Sequence, residues 1–388
     1  MMKVQVSDGV FEEKQLLPEQ IDGRIGRIGG SHAGTKVASY LRKEAKGDGA
    51  RKLKDEVRFL LQLPQELSEK FPKVARYYTS PTTVAMEQEF FAMPTLRKIL
   101  CDGDASAEEG MEWLGRILDW LFSHAYNRES TTPPDDYLHH LHFLRSWARF
   151  SETMKKAPVF EKFILADRVS IQGKECFNAP ALIQAIEGDV QAQRRLRPEK
   201  VSPFVHGDLH FDNILVDRDT GEFKLVDPRG YEYCDAWYDA GKLYHSARGK
   251  YDMIHRGEFQ LDWNAEKQKR VEIDVKFEPT PGHEKYNQIS ENLEGLLSRH
   301  APKEQDVAML SLFNEAIHFI SDMPFHLSRD GKEAKAAAIY ATGVWHLNRL
   351  VKEYFPHLVS VAEGSREESV REKLQRGDQW KFQGNVAA

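Results

Sequence analysis

Residues 206–213, HGDLHFDN, carry a histidine or an aspartate at every second position, namely His206, Asp208, His210 and Asp212. On an extended chain these side chains would all lie on one face. Imidazole and carboxylate groups bind zinc and iron, so one interpretation is a metal cluster on a strand. Gly207 interrupts the extended run, however, and no other histidine or cysteine group in the sequence has ligand spacing. We therefore favour an interpretation in which the segment is a loop.

The second interpretation treats Asp208, Asn213 and Asp227 as one constellation. Phosphoryl transfer needs a carboxylate that orients a hydroxyl and accepts its proton, and oxygen ligands that hold Mg²⁺ against nucleotide phosphates. Asn213 and Asp227 lie on the two arms of a predicted hairpin, 214–216 and 223–227, and supply an amide and a carboxylate oxygen. We predict that Asp208, in the preceding loop, is the catalytic residue and that the other two bind the metal.

The elements that must position these residues follow from the hydrophobic pattern. Residues 21–46 predict two strands joined by a glycine-rich turn, which is suited to lie over a phosphate. Residues 51–63 predict a helix whose apolar stripe includes Glu56. A carboxylate on that inward face requires a partner, because a buried unpaired charge is costly. A strand is predicted around Met86, and a helix begins near Pro94.

The rest of the chain is predicted to be mainly helical, from residue 110 to about 200 and again in two apolar stripes within 310–351. His139, His140 and His142 fall on one of these helices. Neighbouring helix positions diverge by about 100°, so these rings cannot converge on one ion and we interpret them as structural. From residue 364 the chain is polar, and we expect this tail to be loosely held.

Composition excludes several classes of protein. The 388 residues are 41% hydrophobic and 29% charged, as in a globular protein of two or three domain-sized units. The net charge of −6 argues against a nucleic-acid binder. The sequence contains no apolar run of about 18 residues and no apolar leader, so we expect no membrane partner and a cytoplasmic location. The 3 cysteines are far apart and predict neither disulfides nor a zinc knuckle.

HGDLHFDNIL followed by LVDPRG resembles the catalytic loop and metal-binding segment of the aminoglycoside phosphotransferase and choline kinase family, relatives of protein kinases. The resemblance implies an α+β, two-lobed protein kinase-like fold with a small β-rich N-lobe and a larger, mainly helical C-lobe. It also implies that His206 braces the loop. In DAWYDAGKL, residues 235–243, Asp239 matches an aspartate that braces the catalytic loop from a helix.

The same resemblance implies that Glu56 pairs with a phosphate-binding lysine on the preceding strand. We favour Lys43, which shares a strand face with Leu41 and precedes Glu56 by thirteen residues, and Lys36 is the alternative. The glycine-rich turn GGSHAGT does not contain a complete G-x-G-x-x-G pattern.

In TTVAMEQEF, residues 82–90, the resemblance implies that Met86 lines the adenine pocket and that backbone groups of Glu87 and Glu89 meet the base. His210, two residues after Asp208, is a candidate for the vicinity of the γ-phosphate. A packed or solvent-facing role for this histidine is the alternative.

We thus expect a nucleotide-binding lobe in residues 1–92, a helical lobe with the catalytic hairpin and acceptor site in 93–363, and a polar tail in 364–388. The predicted function is transfer of the γ-phosphate of ATP or GTP, with Mg²⁺, to a hydroxyl of a small molecule such as a sugar, amino alcohol or aminoglycoside. The alternative is a nucleotide-binding pseudokinase without turnover. The acceptor and the oligomeric state are left open.

A small acceptor is expected because only eleven residues separate Asp227 from Asp239, too few for the peptide-docking segment of a protein kinase. The acceptor pocket must then come from the helical lobe. Candidate contacts are Arg229, Tyr231 and His245, for which packing and surface roles are the alternative.

Overall fold

A four-stranded antiparallel sheet begins the part of the chain that the computed structural model describes, which is residues 33–37, 40–264, 270–327, 333–364 and 367–378. Residues 29–32 of the glycine-rich turn lie outside these ranges. The spatial order of the strands is β1-β2-β4-β3. Their bounds are β1 Ala33–Val37, β2 Tyr40–Lys46, β3 Val74–Thr79 and β4 Thr83–Glu89.

Helix α1 (Asp48–Gln62) packs on this sheet against β2 and β4, as its apolar stripe predicts. Leu53, Val57 and Leu60 are buried at a spacing of three and four residues, which places them on one face of the helix. Glu56 is buried on the same face. A short helix α2 (Gln65–Ser68) leads to β3.

The remaining helices form the larger lobe, together with two π-helical turns at Phe122–Tyr126 and His139–Leu144. Their bounds are α3 Leu96–Cys101, α4 Ala107–Leu121, α5 Arg145–Lys156, α6 Val159–Leu165, α7 Ala179–Gly188, α8 Val190–Leu196, α9 Ala236–Ala247, α10 Tyr251–Arg256, α11 Pro281–Ser298, α12 Val307–His326, α13 Glu333–Tyr354, α14 Leu358–Glu363 and α15 Glu367–Asp378.

Helix α12 lies at the centre of this lobe, packed between α9 and α13. Two glycines allow α9 and α13 to lie close to α12. A Cβ on Gly343 of α13 would lie 2.9 Å from the Ile320 backbone nitrogen, and one on Gly241 of α9 would lie 2.8 Å from that of Glu315. Any larger residue at these positions would push α9 or α13 away from α12.

A hairpin of β7 (Ile214–Val216) and β8 (Phe223–Leu225) carries the candidate catalytic segment, as the sequence predicts. Strand β7 also contacts α3 of the larger lobe, and the Leu225 amide donates to the Lys70 carbonyl, 2.7 Å away, in the small lobe. The hairpin is thus fastened to both lobes.

A second four-stranded sheet in the helical lobe was not predicted. It contains β5 (Arg168–Ile171), β6 (Lys174–Phe177), β9 (Phe259–Asn264) and β10 (Arg270–Phe277), in the order β6-β5-β10-β9. Strand β10 pairs with β5 in parallel, about a hundred residues away in sequence. Strands β5 and β6, with four residues each, carry too little periodicity to be distinguished within a helical region.

The tail expectation is wrong for residues 367–378, which form α15 and pack against α5. Val370 and Leu374, four residues apart, are buried, and Lys373 lies 3.0 Å from Glu187. Two apolar residues at helical spacing were enough to anchor a segment that is polar in composition. With a small β-rich lobe and a larger helical lobe, the structure confirms the predicted α+β fold class.

Candidate active site

The loop at 206–213 is not a strand, and the metal-cluster interpretation does not fit it. Gly207 has a φ of 77°, and Phe211–Asn213 form a 3₁₀ turn. A Cβ at Gly207 would lie 2.9 Å from side-chain atoms of Arg229 and of Tyr231, so the position requires glycine. The four side chains that would share a face on a strand have different neighbours. His206 contacts Val226, Asp208 contacts Arg229, His210 lies near Tyr251 and Asp212 contacts Arg97.

Asp239 on α9 braces the loop through its backbone. One carboxylate oxygen accepts from the Gly207 amide (2.8 Å), and the other accepts from the His206 amide (3.0 Å) and the Tyr126 hydroxyl (2.8 Å). Burial raises the pKa of Asp239 to about 7. These three donors fix the loop against the helix immediately before Asp208.

His206 completes the brace from the other side. Its Nε2 lies 2.9 Å from the Val226 carbonyl oxygen, and its Nδ1 accepts from the Asp208 amide at 3.2 Å. The ring is fully buried, and burial lowers the pKa of His206 to about 4. The imidazole is therefore neutral at neutral pH and holds the loop to the segment that precedes Asp227.

Asp208 is paired with two cations. Its Oδ2 lies 2.8 Å from Nη2 of Arg229, and its Oδ1 lies 3.1 Å from Nζ of Lys242 on α9. Burial alone would raise the pKa of Asp208, but the charges of Arg229 and Lys242 outweigh it and hold the pKa well below its ordinary value. The side chain is therefore a carboxylate at neutral pH and can accept a hydrogen bond from a hydroxyl.

Asn213 and Asp227 are brought together by the hairpin. The Val226 amide donates to the Asn213 carbonyl (3.0 Å), and Asn213 Nδ2 donates to the Asp208 carbonyl (2.8 Å). Asp227 has a φ of 61°, which turns the chain immediately after the hairpin. An amide oxygen and a carboxylate are hard oxygen ligands, the donor type that suits Mg²⁺.

Lys43 is fully buried, and its Nζ contacts the carboxylates of both Glu56 and Asp227. Burial alone would lower the pKa of Lys43, yet these two carboxylates raise it, so the ammonium stays charged. Burial also raises the pKa of Glu56, to about 7. Lys36 pairs with Leu41 on the edge strand β1, and its side chain lies outside the described residues.

At the end of β4, one of the backbone groups expected to meet the base is already engaged within the protein. Met86 is buried opposite Lys43, and Glu87 lies in the interior of the sheet, its carboxylate paired with Arg76 at 2.8 Å. The Glu89 amide donates to the Lys73 carbonyl (2.9 Å). That N–H is therefore hydrogen-bonded within the protein, and β4 remains paired as far as Glu89.

His210 lies on the same loop as Asp208, and its backbone amide donates to the Asp208 carbonyl (2.8 Å). Its ring is 6.0 Å from that of Tyr251, and its buried Nδ1 has no hydrogen-bond partner in the described part of the chain. His245, fully buried, lies 3.6 Å from Asp322, and Tyr231 lies against Gly207.

Several charged residues near the site were missed in the sequence. Lys52 lies one helical turn before Glu56, and Lys242 lies three residues after Asp239, so helical spacing could have revealed both. Burial and the charge of Arg229 lower the pKa of Lys52 to about 8. No local signal marked Arg145 on α5 or Asp322 on α12, because only tertiary packing brings these helices to the site.

The fold and the arrangement of Lys43, Glu56, Asp208 and Asp227 define the class of protein kinase-like phosphotransferases. A family model described as "Phosphotransferase enzyme family" matches residues 28–271. The chain belongs to this family, which confirms the resemblance seen in the sequence, and it is a small-molecule kinase. No curated protein matches the chain.

Solved structures similar to the chain include three phosphotransferases. A thermostable mutant of aminoglycoside phosphotransferase APH(4)-Ia in the apo form shares 12% identity over 87% of this chain and 95% of that one, with a TM-score of 0.48. APH(3'')-Id from Streptomyces rimosus, in complex with ADP and streptomycin, shares 16% over 74% and 94%, with a TM-score of 0.41. A putative fructosamine-3-kinase from Haemophilus somnus shares 12% over 88% and 92%, with a TM-score of 0.39. Similarity of this degree does not identify an acceptor.

Proposed function

We propose that the protein transfers the γ-phosphate of ATP or GTP to a hydroxyl group of a small molecule. The observation that carries this proposal is the contact of one buried ammonium, that of Lys43, with both Glu56 and Asp227. It joins the sheet and helix of the small lobe to the catalytic hairpin. A cation next to a metal-binding carboxylate is the arrangement that nucleotide phosphates require.

Each residue of the site then has a role. Asn213 and Asp227 would hold Mg²⁺, which neutralises charge on the phosphates when bound. Lys43, kept in place by Glu56, binds the phosphates. Asp208 orients the acceptor hydroxyl and takes its proton as the new P–O bond forms and the bond to the nucleoside diphosphate breaks. His206 and Asp239 hold Asp208 in position through the backbone.

The nucleotide base is proposed to bind at the segment that leaves β4. Met86 contributes to the wall of its pocket, as the family resemblance implies. The Glu89 amide already donates a hydrogen bond to the Lys73 carbonyl. We therefore propose that further base contacts come from the backbone after Glu89, which connects to α3. We also propose the division expected from the sequence, with lobes in residues 1–92 and 93–363, followed by residues 364–388, which include α15.

The acceptor is proposed to be small because the segment after Asp227 is short and held in place. Gly230 has a φ of 66°, and a Cβ there would lie 2.2 Å from the Asp55 carbonyl oxygen. Its own carbonyl accepts from Arg58 Nη2 (2.7 Å). At Cys234 the chain pairs with Ser202 through two backbone hydrogen bonds. The Ser202 amide donates to the Cys234 carbonyl (2.8 Å), and the Cys234 amide donates to the Ser202 carbonyl (3.2 Å). A segment fixed in this way is unsuited to docking a peptide.

None of the helices among the described residues has the length and apolar content needed to cross a bilayer.

The test is a nucleotide-consumption screen of hydroxylated metabolites with ATP and with GTP, each with and without Mg²⁺, with phosphorylated products identified by mass. We expect metal-dependent formation of a phosphate monoester from one acceptor class, and its loss in Asp208→Asn. Nucleotide binding without any phosphorylated product across the panel would instead establish the pseudokinase alternative.

A further inference from the structure

The charges around Asp208 are unequal in number. Arg229 and Lys242 contact its two carboxylate oxygens at 2.8 and 3.1 Å, and Arg145 lies behind Tyr231, which borders the same loop. The opposing carboxylate is Asp322, whose Oδ2 lies 3.5 Å from Nζ of Lys242. Of these five groups, three are cations and two are carboxylates.

Arg145 is the clearest sign of an unmatched charge. It is 5% exposed, and its Nη1 donates to the hydroxyls of Tyr231 (3.3 Å) and Tyr238. Its buried Nε and Nη2 have no hydrogen-bond partner among the described residues. A buried guanidinium that no described carboxylate contacts directly is costly to maintain, so this position favours the arrival of negative charge.

The nearby carboxylates are already engaged. Asp322 accepts from Lys242 and lies 3.6 Å from His245. Farther along the loop, Asp212 accepts from Arg97 (2.6 Å), and on α10 Asp252 accepts from the Tyr286 hydroxyl (2.9 Å). An acceptor that carried ammonium groups would have to compete for these carboxylates and would be repelled by Arg229 and Lys242.

We propose that the acceptor is an anion, a small hydroxyl compound that also carries a carboxylate or a phosphate group. This inference rests on the proposed function and narrows its substrate class. The Arg229 side chain is 19% exposed, so it contacts the anionic group of the incoming acceptor. Arg229 remains paired with Asp208 during this contact. It thereby holds the acceptor hydroxyl close to the base. Arg145 supplies the second positive charge behind Tyr231.

The experiment compares acceptors that differ only in charge. Glycerol, glycerate and glycerol 3-phosphate form one series, and glucose, gluconate and glucose 6-phosphate form another, with choline and kanamycin as cationic acceptors. We expect kcat/KM for the anionic members to exceed that for the neutral ones by at least about 30-fold, the size of a desolvated charge pair. The carboxylate and phosphate members of each series identify which anion is preferred.

Two outcomes overturn the inference in different ways. Equal or better phosphorylation of the neutral or cationic acceptors would leave the kinase function standing and disprove the anionic class. No phosphorylated product from any acceptor, with nucleotide still bound, would remove the proposed function together with the inference.

Variants test whether the named arginines create the preference. Arg229→Gln and Arg145→Gln should each reduce the ratio of anionic to neutral kcat/KM by about tenfold or more, mainly through KM. Arg149→Gln is the matched control, one turn farther along α5 and paired with Glu152, and it should leave the ratio unchanged. If the folded Arg229→Gln enzyme keeps the wild-type ratio, the inference fails even where Arg145→Gln does not fold.

Discussion

Lys43 and Asp227 are separated by 184 positions in the sequence, yet their side chains form an ion pair inside the protein. The same ammonium contacts Glu56 on α1. A single buried charge therefore connects β2, α1 and the residue that follows the catalytic hairpin. Because Asp227 is also a proposed metal ligand, nucleotide binding must share or redistribute the contacts of Lys43.

Replacing Lys43 by Met should greatly weaken nucleotide use, because the phosphates lose their buried cation. Removal of one partner from a buried ion pair also destabilises a fold by about 3–5 kcal/mol, so urea unfolding should accompany the binding titration. Lys36→Met is the companion variant and should have little effect on either property. If the two variants show the reverse pattern, Lys36 is the phosphate-binding residue.

Removal of the charge of Asp208 or of Asp227 should impair different steps. Asp208→Asn should lose about 10²- to 10⁴-fold in turnover while nearly preserving Mg²⁺–nucleotide affinity, because only the positioned base is removed. Asp227→Ala should lose metal-dependent nucleotide binding. Calorimetric titration with and without Mg²⁺, together with product assays, distinguishes the two. Near-normal turnover of Asp208→Asn would exclude the role assigned to it.

Asp239→Asn should lower turnover although the residue touches no substrate. An amide in place of this carboxylate leaves one of its three buried donors unpaired, at a cost of about 1–3 kcal/mol, and loosens the loop before Asp208. Asp235→Asn is the matched control, since Asp235 caps the same helix through the Trp237 and Tyr238 amides without contacting the loop. We expect both variants to lose stability in urea, but only Asp239→Asn to lose kcat.

His142 should make the protein sensitive to acid. Burial, assisted by the charge of Arg145, holds the pKa of His142 well below its ordinary value of 6.5. Since the folded state resists protonation of this imidazole, the stability that His142 contributes is present above pH 6.5 and is lost as the pH falls below that value, by about 1.4 kcal/mol at pH 5.5.

The measurement is the change in unfolding free energy between pH 7.5 and pH 5.5, from urea titrations of wild type and His142→Phe. The variant should lose less stability on acidification than wild type. His140→Phe, at a half-exposed position two residues earlier, controls for the introduction of the phenyl ring. Equal losses in wild type and His142→Phe would show that the buried imidazole does not resist protonation.

The sequence by itself predicted the candidate catalytic segment, and the family resemblance that this segment carries predicted the class of fold. Asp208, Asn213 and Asp227 lie within twenty residues, so the spacing of a loop and a short hairpin is sufficient to bring them together. Glu56 was recognisable because a carboxylate on the apolar face of α1 needs a partner. The family resemblance, which places a phosphate-binding lysine on the preceding strand, favoured Lys43 as that partner. The candidate constellation and the need of Glu56 for a partner follow from local periodicity and from the chemistry of the residue types. The fold class and the choice of Lys43 follow from the resemblance to a known family.

Only the tertiary structure decided which charges surround Asp208 and which segments are fixed. Arg145, Lys242 and Asp322 lie on three different helices, and their meeting depends on how α5, α9 and α12 pack. Long-range contacts likewise decide three other features. They are the pairing of β5 with β10, the hydrogen bond from the Glu89 amide to the Lys73 carbonyl and the packing of α15 against α5. Such contacts result from the packing of many side chains at once, which leaves no signal in a local stretch of sequence.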